Sequence, residues 1–187
     1  MKKYNIPFSP PDIGDGEINE VIDTLKSGWI TTGPKTKELE RRLSEFTSTP
    51  KTVCLNSATA ALELTLRVLG IGEGDEVIVP AMTYTASCSV IYHVGAKAVI
   101  VDISEDSHEM DYVALADAIT EKTKAVVPVD LAGIPCDYDK IFEVVESKKH
   151  LFKANSEYQE KLGRVAVVAD GAHALGSTYK GKKIGSV

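Results

Sequence analysis

The residues VAVVADGAHALG, 165–176, show where a buried strand ends and which side chains come after it. The first five residues are apolar, which is long enough for a strand and too short for a typical helix. Asp170 comes directly after them, and His173 follows three positions later in a turn of small residues. A carboxylate in that position is at least partly buried, so it needs a cationic or hydrogen-bonding partner. No neighbouring Arg or Lys in the sequence obviously serves.

Short apolar runs of the same kind recur along the chain and alternate with segments of helical length. Strands rich in Val and Ile that alternate with helices pair in parallel, since a parallel pair cannot be joined by a tight turn. We therefore predict an α/β fold with a mostly parallel sheet. The predicted strands are 52–55, 76–80, 96–103, 124–131 and 165–169, and the predicted helices between them are 59–69, 85–94, 112–119 and 138–148.

The chain is predicted to have an N-terminal helix and loop arm, residues 1–34, followed by one large domain, residues 35–187. The arm carries apolar residues at helical spacing from Ile18 to Leu25 and then a glycine-containing loop. In the large domain, the polar and lysine-rich segment 146–163 is expected to extend the helix before it and to form a solvated excursion. After residue 170 no further helix or strand is predicted that would complete the domain, so we expect the chain to be a fragment of a longer protein.

The composition excludes several classes of protein. The 187 residues are 43% apolar, which is typical of a soluble globular protein, and the formal net charge is -6. A protein that binds nucleic acid or an anionic membrane through bulk charge needs an excess of Lys and Arg, so neither partner is expected. The apolar runs are too short to cross a bilayer, and the N-terminus has no signal-peptide core. Together with three widely spaced cysteines, these features predict a cytoplasmic protein.

The carboxyl ends of the predicted strands indicate a candidate binding site, because ligands of open parallel sheets bind there. The first strand delivers Ser57, Ala58 and Thr59 to the start of a helix, where free backbone N–H groups can hold a phosphate. An ordinary helix cap is the alternative. The second strand delivers Tyr84, whose ring either packs on the protein or faces a ligand. Asp170 either caps a turn or pairs with a protonated heterocycle of a bound cofactor.

Five motifs stand in order along the chain: SGWITTGPKTKELE, LNSATAALELTL, GIGEGDEVIVPAMTYTAS, TKAVVPVDLAG and DGAHALGSTYKGKKIGS. In this order and spacing they resemble the sugar aminotransferases of the DegT/DnrJ/EryC1/StrS family. The resemblance covers nearly the whole chain apart from the lysine-rich segment, and the ordered set is far more specific than any one motif. It implies the large domain of a pyridoxal phosphate (PLP) dependent transferase of the aspartate aminotransferase fold type, here incomplete. That domain has three layers, with helices on both faces of a mostly parallel sheet.

The resemblance implies a role in binding PLP for several of these residues. Ser57, Ala58 and Thr59 match the turn that binds the phosphate, and Tyr84 matches the aromatic ring that stacks on the pyridine. Asp170 matches the acid that pairs with the pyridinium nitrogen. A carboxylate there keeps the nitrogen protonated, so that the ring can accept electron density.

Two positions near the ring hydroxyl and one loop complete the implied site. His173 matches a position that Gln or His holds across the family. Asp130 stands where many members have His, so the hydrogen bonding around the ring hydroxyl is expected to differ. The resemblance also implies that a loop contacts the sugar nucleotide. Its residues are Gly28, Trp29, Ile30 and Thr31.

The lysine that forms a Schiff base with the cofactor is expected beyond residue 187, because in the family it comes after the KGKKIGS motif. Lys180, Lys182 and Lys183 lie in a glycine-flanked turn and are not expected to replace it. Without that lysine the chain lacks both the covalent link to the cofactor and the base that moves the substrate proton. The chain is therefore expected to be inactive alone.

The resemblance implies an enzyme that moves an amino group from an amino acid, with glutamate favoured, to a nucleotide-linked keto sugar. The similarity is nearest to the branch that aminates 4-keto sugar nucleotides. Pyridoxamine phosphate (PMP) carries the amino group between two half-reactions, and the pathway class is glycan or cell-surface polysaccharide biosynthesis. A homodimer is implied as well, because the family builds its active site across a subunit interface.

Three alternatives stay open at this point. A sugar dehydratase of the same family would have His in place of the Schiff-base lysine. A truncated homologue without catalysis would act as a binding module. A dinucleotide-dependent oxidoreductase is disfavoured, because the glycines at 70–74 precede a strand, whereas a phosphate fingerprint follows a strand and opens a helix.

Overall fold

The computed structural model describes residues 6, 7 and 9–187, so the first five residues and residue 8 of the predicted N-terminal arm lie outside the described residues. The described part contains seven α-helices and six β-strands. The helices are α1 (Asp15–Ser27), α2 (Pro34–Thr47), α3 (Ala58–Val68), α4 (Thr85–His93), α5 (Tyr112–Ala118), α6 (Tyr138–Ser147) and α7 (Glu157–Leu162). The strands are β1 (Glu76–Pro80), β2 (Lys97–Val101), β3 (Thr123–Val126), β4 (Ala166–Val167), β5 (Thr178–Tyr179) and β6 (Lys182–Lys183).

Four strands form a parallel sheet in the order β2-β1-β3-β4, which confirms the predicted α/β fold. Val77 of β1 lies opposite Ala98 of β2 and Ala125 of β3. β1 is buried along its whole length, as expected for an interior strand of a sheet that is covered on both faces. The two remaining strands form a separate antiparallel hairpin.

Helices cover both faces of the sheet, which confirms the three-layer architecture. Successive side chains of β1 point to opposite faces. Ile78 packs in the core that contains Leu115 of α5 and residues of α6, whereas Val77 belongs to the core that contains Leu66 of α3 and residues of α4. Burying each such side chain contributes about 1.5–3 kcal/mol, so the two cores hold the carboxyl ends of β1, β3 and β4 at one edge.

The prediction of a first strand at 52–55 is wrong. The segment is extended but pairs with no strand among residues 9–187. Val53 is 73% exposed, and the backbone N–H of Cys54 donates to Oε1 of Glu40 in α2 at 3.0 Å. An apolar run of this length is compatible with a strand, but a strand also needs a partner that offers a row of backbone N–H and C=O groups. Here a side chain of α2 takes the place of that partner.

The polar segment 146–163 departs from its prediction in two ways. It does not extend α6, because that helix ends and is followed by a 3-10 turn and by the separate helix α7. It is also not purely solvated, because Gln159 is 1% exposed and donates to the backbone oxygen of Leu69 at 2.9 Å. The Ser156 hydroxyl donates to the same oxygen at 2.7 Å. These bonds fix α7 to the end of α3, and a contact over such a sequence distance leaves no signal in the local pattern.

The two N-terminal helices contribute no apolar side chain to either core. α1 has no buried residue and is joined to α2 by Lys35, which contacts Glu20 and lies 2.8 Å from Asp23 Oδ2. α2 packs on the hairpin, where Lys183 Nζ lies 3.9 Å from the centroid of the Phe46 ring. In the described part of the chain, no helix is both long enough and apolar enough to cross a membrane.

Candidate functional site

The acids that follow β3 and β4 lie side by side at the carboxyl edge of the sheet. The backbone N–H of Asp170 donates to the Pro128 oxygen at 2.8 Å, and that of Asp130 donates to the Asp170 backbone oxygen at 3.0 Å. These bonds continue the parallel pairing beyond the two strands, with Val129 opposite Asp170. The acids therefore stand at the position where parallel sheets bind their ligands.

Only neutral donors hold the carboxylate of Asp170, which is 9% exposed. Ser87 Oγ donates to Oδ2 at 2.7 Å, and the N–H of Ala172 donates to Oδ1 at 3.2 Å. None of the ion pairs that the described residues form includes Asp170. A buried carboxylate without a cation is costly, so Asp170 is suited to pair with a cationic group of a ligand.

A cavity of about 200 Å³ opens at this edge and brings together residues from several loops. Five of the six residues to which the resemblance assigns a cofactor role line it, whereas Ser57 lies next to it as the cap of α3. Apolar side chains, including Leu62 and Leu131, complete the lining. The five residues are Ala58, Thr59, Tyr84, Asp170 and His173.

The N-terminus of α3 offers unpaired N–H groups to this cavity. Ser57 Oγ accepts from the N–H of Ala60 at 3.1 Å, which is the ordinary helix cap. Within residues 9–187, the N–H groups of Ala58 and Thr59 have no hydrogen-bond acceptor. Such groups, at the positive end of a helix dipole, bind anions such as phosphate. The cap and the anion site are therefore compatible, because they use different donors.

Tyr84 lies between β1 and α4 and is 76% exposed. Tyr84 lines the cavity, and its side chain belongs to neither core. The sequence left open whether Tyr84 packs on the protein or faces a ligand. Among the described residues, Tyr84 does not pack in a core. An exposed aromatic ring beside a cavity can stack on a flat ligand.

His173 is oriented by the turn that follows β3. The N–H of Ala132 donates to His173 Nδ1 at 3.3 Å. A ring nitrogen that accepts carries no proton, so the proton of the neutral ring is on Nε2, which remains a donor for a ligand. The two turns approach closely, since a Cβ on Gly133 would lie 3.0 Å from the backbone oxygen of His173. Gly133 also has φ of 79°, so glycine is required there.

Asp130 is fully buried beside Asp170. Its oxygens accept from the N–H of Cys136 at 2.9 Å and from the Tyr138 hydroxyl at 2.9 and 3.0 Å. Burial raises the pKa of Asp130 above its ordinary value against the effect of these bonds, and the nearby Asp170 charge adds to the rise. Burial also raises the pKa of Cys136 to about 12, so this thiol stays protonated at neutral pH and is not a nucleophile. Asp130 therefore anchors the turn that orients His173.

Comparison with known proteins identifies the family that shares these features. Residues 11–187 match the model of the DegT/DnrJ/EryC1/StrS aminotransferase family. The chain belongs to this family. A solved structure named "Putative sugar aminotransferase Spr1654 from Streptococcus pneumoniae", in its PLP form, is 71% identical with a TM-score of 0.97. The match covers 98% of this chain and 47% of that one. The same protein has been solved in a PMP form, at a TM-score of 0.96.

Two curated relatives extend the comparison. The UDP-4-amino-4-deoxy-L-arabinose–oxoglutarate aminotransferase of Shewanella sediminis is 42% identical over 185 residues, which cover 99% of this chain and 44% of that protein. The spore coat polysaccharide biosynthesis protein SpsC of Bacillus subtilis is 41% identical over 186 residues, which cover 100% of this chain and 44% of that protein. The chain thus spans less than half the length of these family members. The family and the fold that the resemblance implied are confirmed.

A second cavity, of about 480 Å³, adjoins the first and shares Val129 and Leu131 with it. Its lining includes three acidic residues, Glu105, Asp106 and Glu109. Acidic side chains repel anions, so this cavity is less suited to a phosphate group than the first cavity is.

The predicted sugar-nucleotide loop does not join the first cavity. None of its four residues, from Gly28 to Thr31, is part of the lining. The Trp29 indole donates to the Thr32 oxygen at 3.1 Å and covers Gly33, yet Trp29 remains 58% exposed. The loop is therefore not part of the cavity that Asp170 lines, and its role in the family's reaction stays a prediction.

The lysines of the β5–β6 hairpin are engaged elsewhere. Lys180 contacts the carboxylate of Asp139, Lys182 lies in β6, and Lys183 stands over the Phe46 ring. Among the residues described, no lysine lines the cavity that contains the predicted cofactor residues. The hairpin lysines are therefore not positioned to react with a ligand there.

The sequence analysis missed two hydroxyl residues, Thr83 and Ser87. Thr83 lines the cavity, and Ser87 is buried with its hydroxyl on Asp170. Their spacing of four residues is visible in the sequence, but Thr83 precedes the N-cap of α4, so helical periodicity does not predict that the two hydroxyls meet. The contact between Ser87 and an acid 83 residues further along the chain is not visible there.

Proposed function

We propose that the full-length protein to which this chain belongs is a PLP-dependent aminotransferase. It would move an amino group from an amino acid, with glutamate as the favoured donor, to a nucleotide-linked keto sugar. The observation that carries the proposal is Asp170, a buried carboxylate with neutral donors only, in a cavity beside the helix N-terminus that Ser57 caps. An exposed aromatic residue, Tyr84, lines the same cavity. These three features fit the three parts of PLP: a basic ring nitrogen, a phosphate and a flat ring.

Each residue has a separate task in this proposal. The N–H groups of Ala58 and Thr59 bind the phosphate, and the Tyr84 ring covers one face of the pyridine. Asp170 holds a proton on the ring nitrogen, and His173 donates its Nε2–H to the ring hydroxyl oxygen. Bound PLP supplies the electron sink that stabilises negative charge at the carbon of the amino donor. The residues of this chain thus bind the cofactor, orient its ring and keep the ring nitrogen charged.

The substrate class rests on the relatives. The Shewanella protein is named for a UDP-linked amino sugar and oxoglutarate, and the Bacillus protein for polysaccharide biosynthesis. By analogy, the acceptor is a keto sugar nucleotide, the pathway is glycan or cell-surface polysaccharide biosynthesis, and the enzyme works in the cytoplasm. We assign contact with the sugar nucleotide to the loop from Gly28 to Thr31.

The remaining parts of the active site lie outside this chain in our proposal. The Schiff-base lysine follows residue 187 in the full-length protein, and the chain alone is inactive. The enzyme is a homodimer. Exposed apolar side chains on α1 and α2 support the proposed dimer, in which a second subunit would cover them. Val21, Leu25 and Leu39 are each at least half exposed in this chain.

The experiment that tests the proposal is an absorption spectrum of the full-length protein, purified with PLP, before and after addition of glutamate. We expect the visible band of a lysine-bound cofactor, and its conversion by glutamate to the near-ultraviolet band of PMP. This result would establish both the lysine and the first half-reaction, and PMP-loaded protein would then be used to screen keto sugar nucleotides.

Two other results would overturn the proposal in different ways. Cofactor binding without the visible band would indicate the dehydratase type of the family, with His at the lysine position. A full-length protein that binds no cofactor would indicate a noncatalytic binding module.

A further inference from the structure

Ser87 joins the first turn of α4 to the acid at the end of β4. Its side chain is fully buried, and its Oγ lies 2.7 Å from Asp170 Oδ2. On its other side, Ser87 Oγ lies 2.7 Å from Thr83 Oγ1. The backbone N–H of Ser87 donates to the Tyr84 oxygen at 3.1 Å, which fixes the first turn of the helix. The two hydroxyls therefore form a short relay that ends on the carboxylate.

The direction of the hydrogen bonds in this relay follows from the number of protons. Ser87 has one hydroxyl proton and gives it to Asp170. In the contact between the hydroxyls, Thr83 must therefore be the donor and Ser87 the acceptor. Donation from Thr83 polarises the Ser87 hydroxyl. The polarised hydroxyl in turn makes a stronger hydrogen bond to Asp170.

The relay also restricts the orientation of the Asp170 carboxylate. Ser87 holds Oδ2, and the N–H of Ala172 holds Oδ1 at 3.2 Å. With one donor on each oxygen, the carboxylate plane cannot rotate without breaking a bond to a charged group. Hydrogen bonds to a charged group are stronger than those between neutral groups, so the orientation is set before any ligand binds.

We propose that Ser87, supported by Thr83, is a positioning residue that fixes the Asp170 carboxylate for the ring nitrogen of the cofactor. This inference rests on the proposed function and extends it to a residue that does not itself touch the ligand. It predicts that removal of the hydroxyl weakens only those interactions of the cofactor that depend on its ring nitrogen.

The test compares two ligands on the full-length protein: PLP and 1-deaza-PLP, in which a carbon replaces the ring nitrogen. Dissociation constants are measured for wild type and for Ser87→Ala. We expect the variant to bind PLP roughly 10-fold more weakly and 1-deaza-PLP as tightly as wild type does, because the analogue has no nitrogen for Asp170 to hold. A merely structural role would weaken the binding of both ligands equally.

Two further variants control for the hydroxyl and for the helix. Ser87→Thr retains the hydroxyl and should restore the preference for PLP. Ser89→Ala makes the matched change two residues along α4, where the hydroxyl donates only to the Ala86 backbone oxygen, and should bind both ligands as wild type does. If Ser87→Ala does not fold, Thr83→Val removes the outer donor, and we expect a smaller loss, about 3-fold, again for PLP only.

The outcomes separate this inference from the proposed function. If wild type binds neither ligand, the proposed function fails. If wild type binds PLP and Ser87→Ala loses affinity for both ligands or for neither, the role of Ser87 is refuted and the proposed function stands.

Discussion

The sheet buries acids at both of its edges, and their charges are compensated differently. At the amino edge, Glu76 accepts from Lys97 Nζ at 3.0 Å and from the Thr120 hydroxyl at 2.8 Å. Burial acts to raise the pKa of Glu76, but these bonds and the charges of Lys97 and Lys122 outweigh it and lower the pKa. At the carboxyl edge, Asp130 is bonded to neutral donors only, and burial raises its pKa.

This difference separates acids that stabilise the fold from acids that are available to a ligand. Glu76 already has its cation within the chain, so a bound cation would add little. Asp170 has none among the described residues and lies in a cavity, so a positive ligand group would complete its charge balance. Asp130 is intermediate, because its hydrogen bonds are all internal but its charge is not compensated.

Asp170→Asn in the full-length protein is expected to have the largest effect. A neutral amide cannot hold a positive ring nitrogen, so we expect the conversion of bound cofactor by glutamate to slow by roughly 10²–10³-fold, with part of the cofactor retained. Single-turnover absorbance measures this rate. Glu76→Gln, the same acid-to-amide change at the other edge, is the matched control and should stay within about twofold of wild type. Equal losses in the two variants would remove the distinction between the edges.

Glu76→Gln is expected to lower the free energy of unfolding by about 1 kcal/mol at neutral pH, because it removes the negative charge that pairs with Lys97. The folded-state pKa of Glu76 lies below its ordinary value of 4.5. The stabilisation is therefore present above 4.5 and is lost as pH falls through the folded pKa. Urea unfolding of wild type and variant at several pH values measures the difference, which should shrink in acid. A difference that does not change with pH would contradict the ion pair.

Asp130→Asn is expected to have the smallest effect and the opposite sign. Because its pKa is raised above the ordinary 3.8 in the folded state, ionised Asp130 destabilises the fold, and this cost is absent below 3.8 and fully present above the folded pKa. The amide keeps an acceptor for the Cys136 N–H, so we expect a gain of up to about 1 kcal/mol at neutral pH that vanishes in acid. The same urea titrations measure it. A variant less stable than wild type at neutral pH would show that the bond from Tyr138 outweighs burial.

The sequence was most informative where one segment carries its own signal. The segment 76–80 is a strand with the predicted bounds, because its three β-branched residues at 77–79, between turn residues, fit little else. It was least informative where a partner decides. The segment 52–55 has an equally apolar pattern and is not a strand, and 146–163 looks solvated although Gln159 is buried.

The same division applies to the candidate site. Asp170 could be singled out in advance, because a carboxylate directly after an apolar run is unusual enough to need an explanation. Its proximity to Tyr84 followed from the rule that parallel strands end at one edge. The position of Ser57 did not, because the segment before it is not a strand. Ser87 could not be found, because a serine in the first turn of a helix is ordinary and its partner is far away in the chain.

The alternation of strands and helices, the parallel sheet and the acid at the end of β4 could be predicted from the sequence, because hydrophobic periodicity and chain direction are local properties. The folded chain was needed to see which donors surround Asp170, that no cation among residues 9–187 pairs with it, and that Asp130 lies beside it. The physical reason is that charge compensation depends on distance in space, and residues as far apart in sequence as Ser87 and Asp170 come within hydrogen-bonding distance only when the sheet has formed.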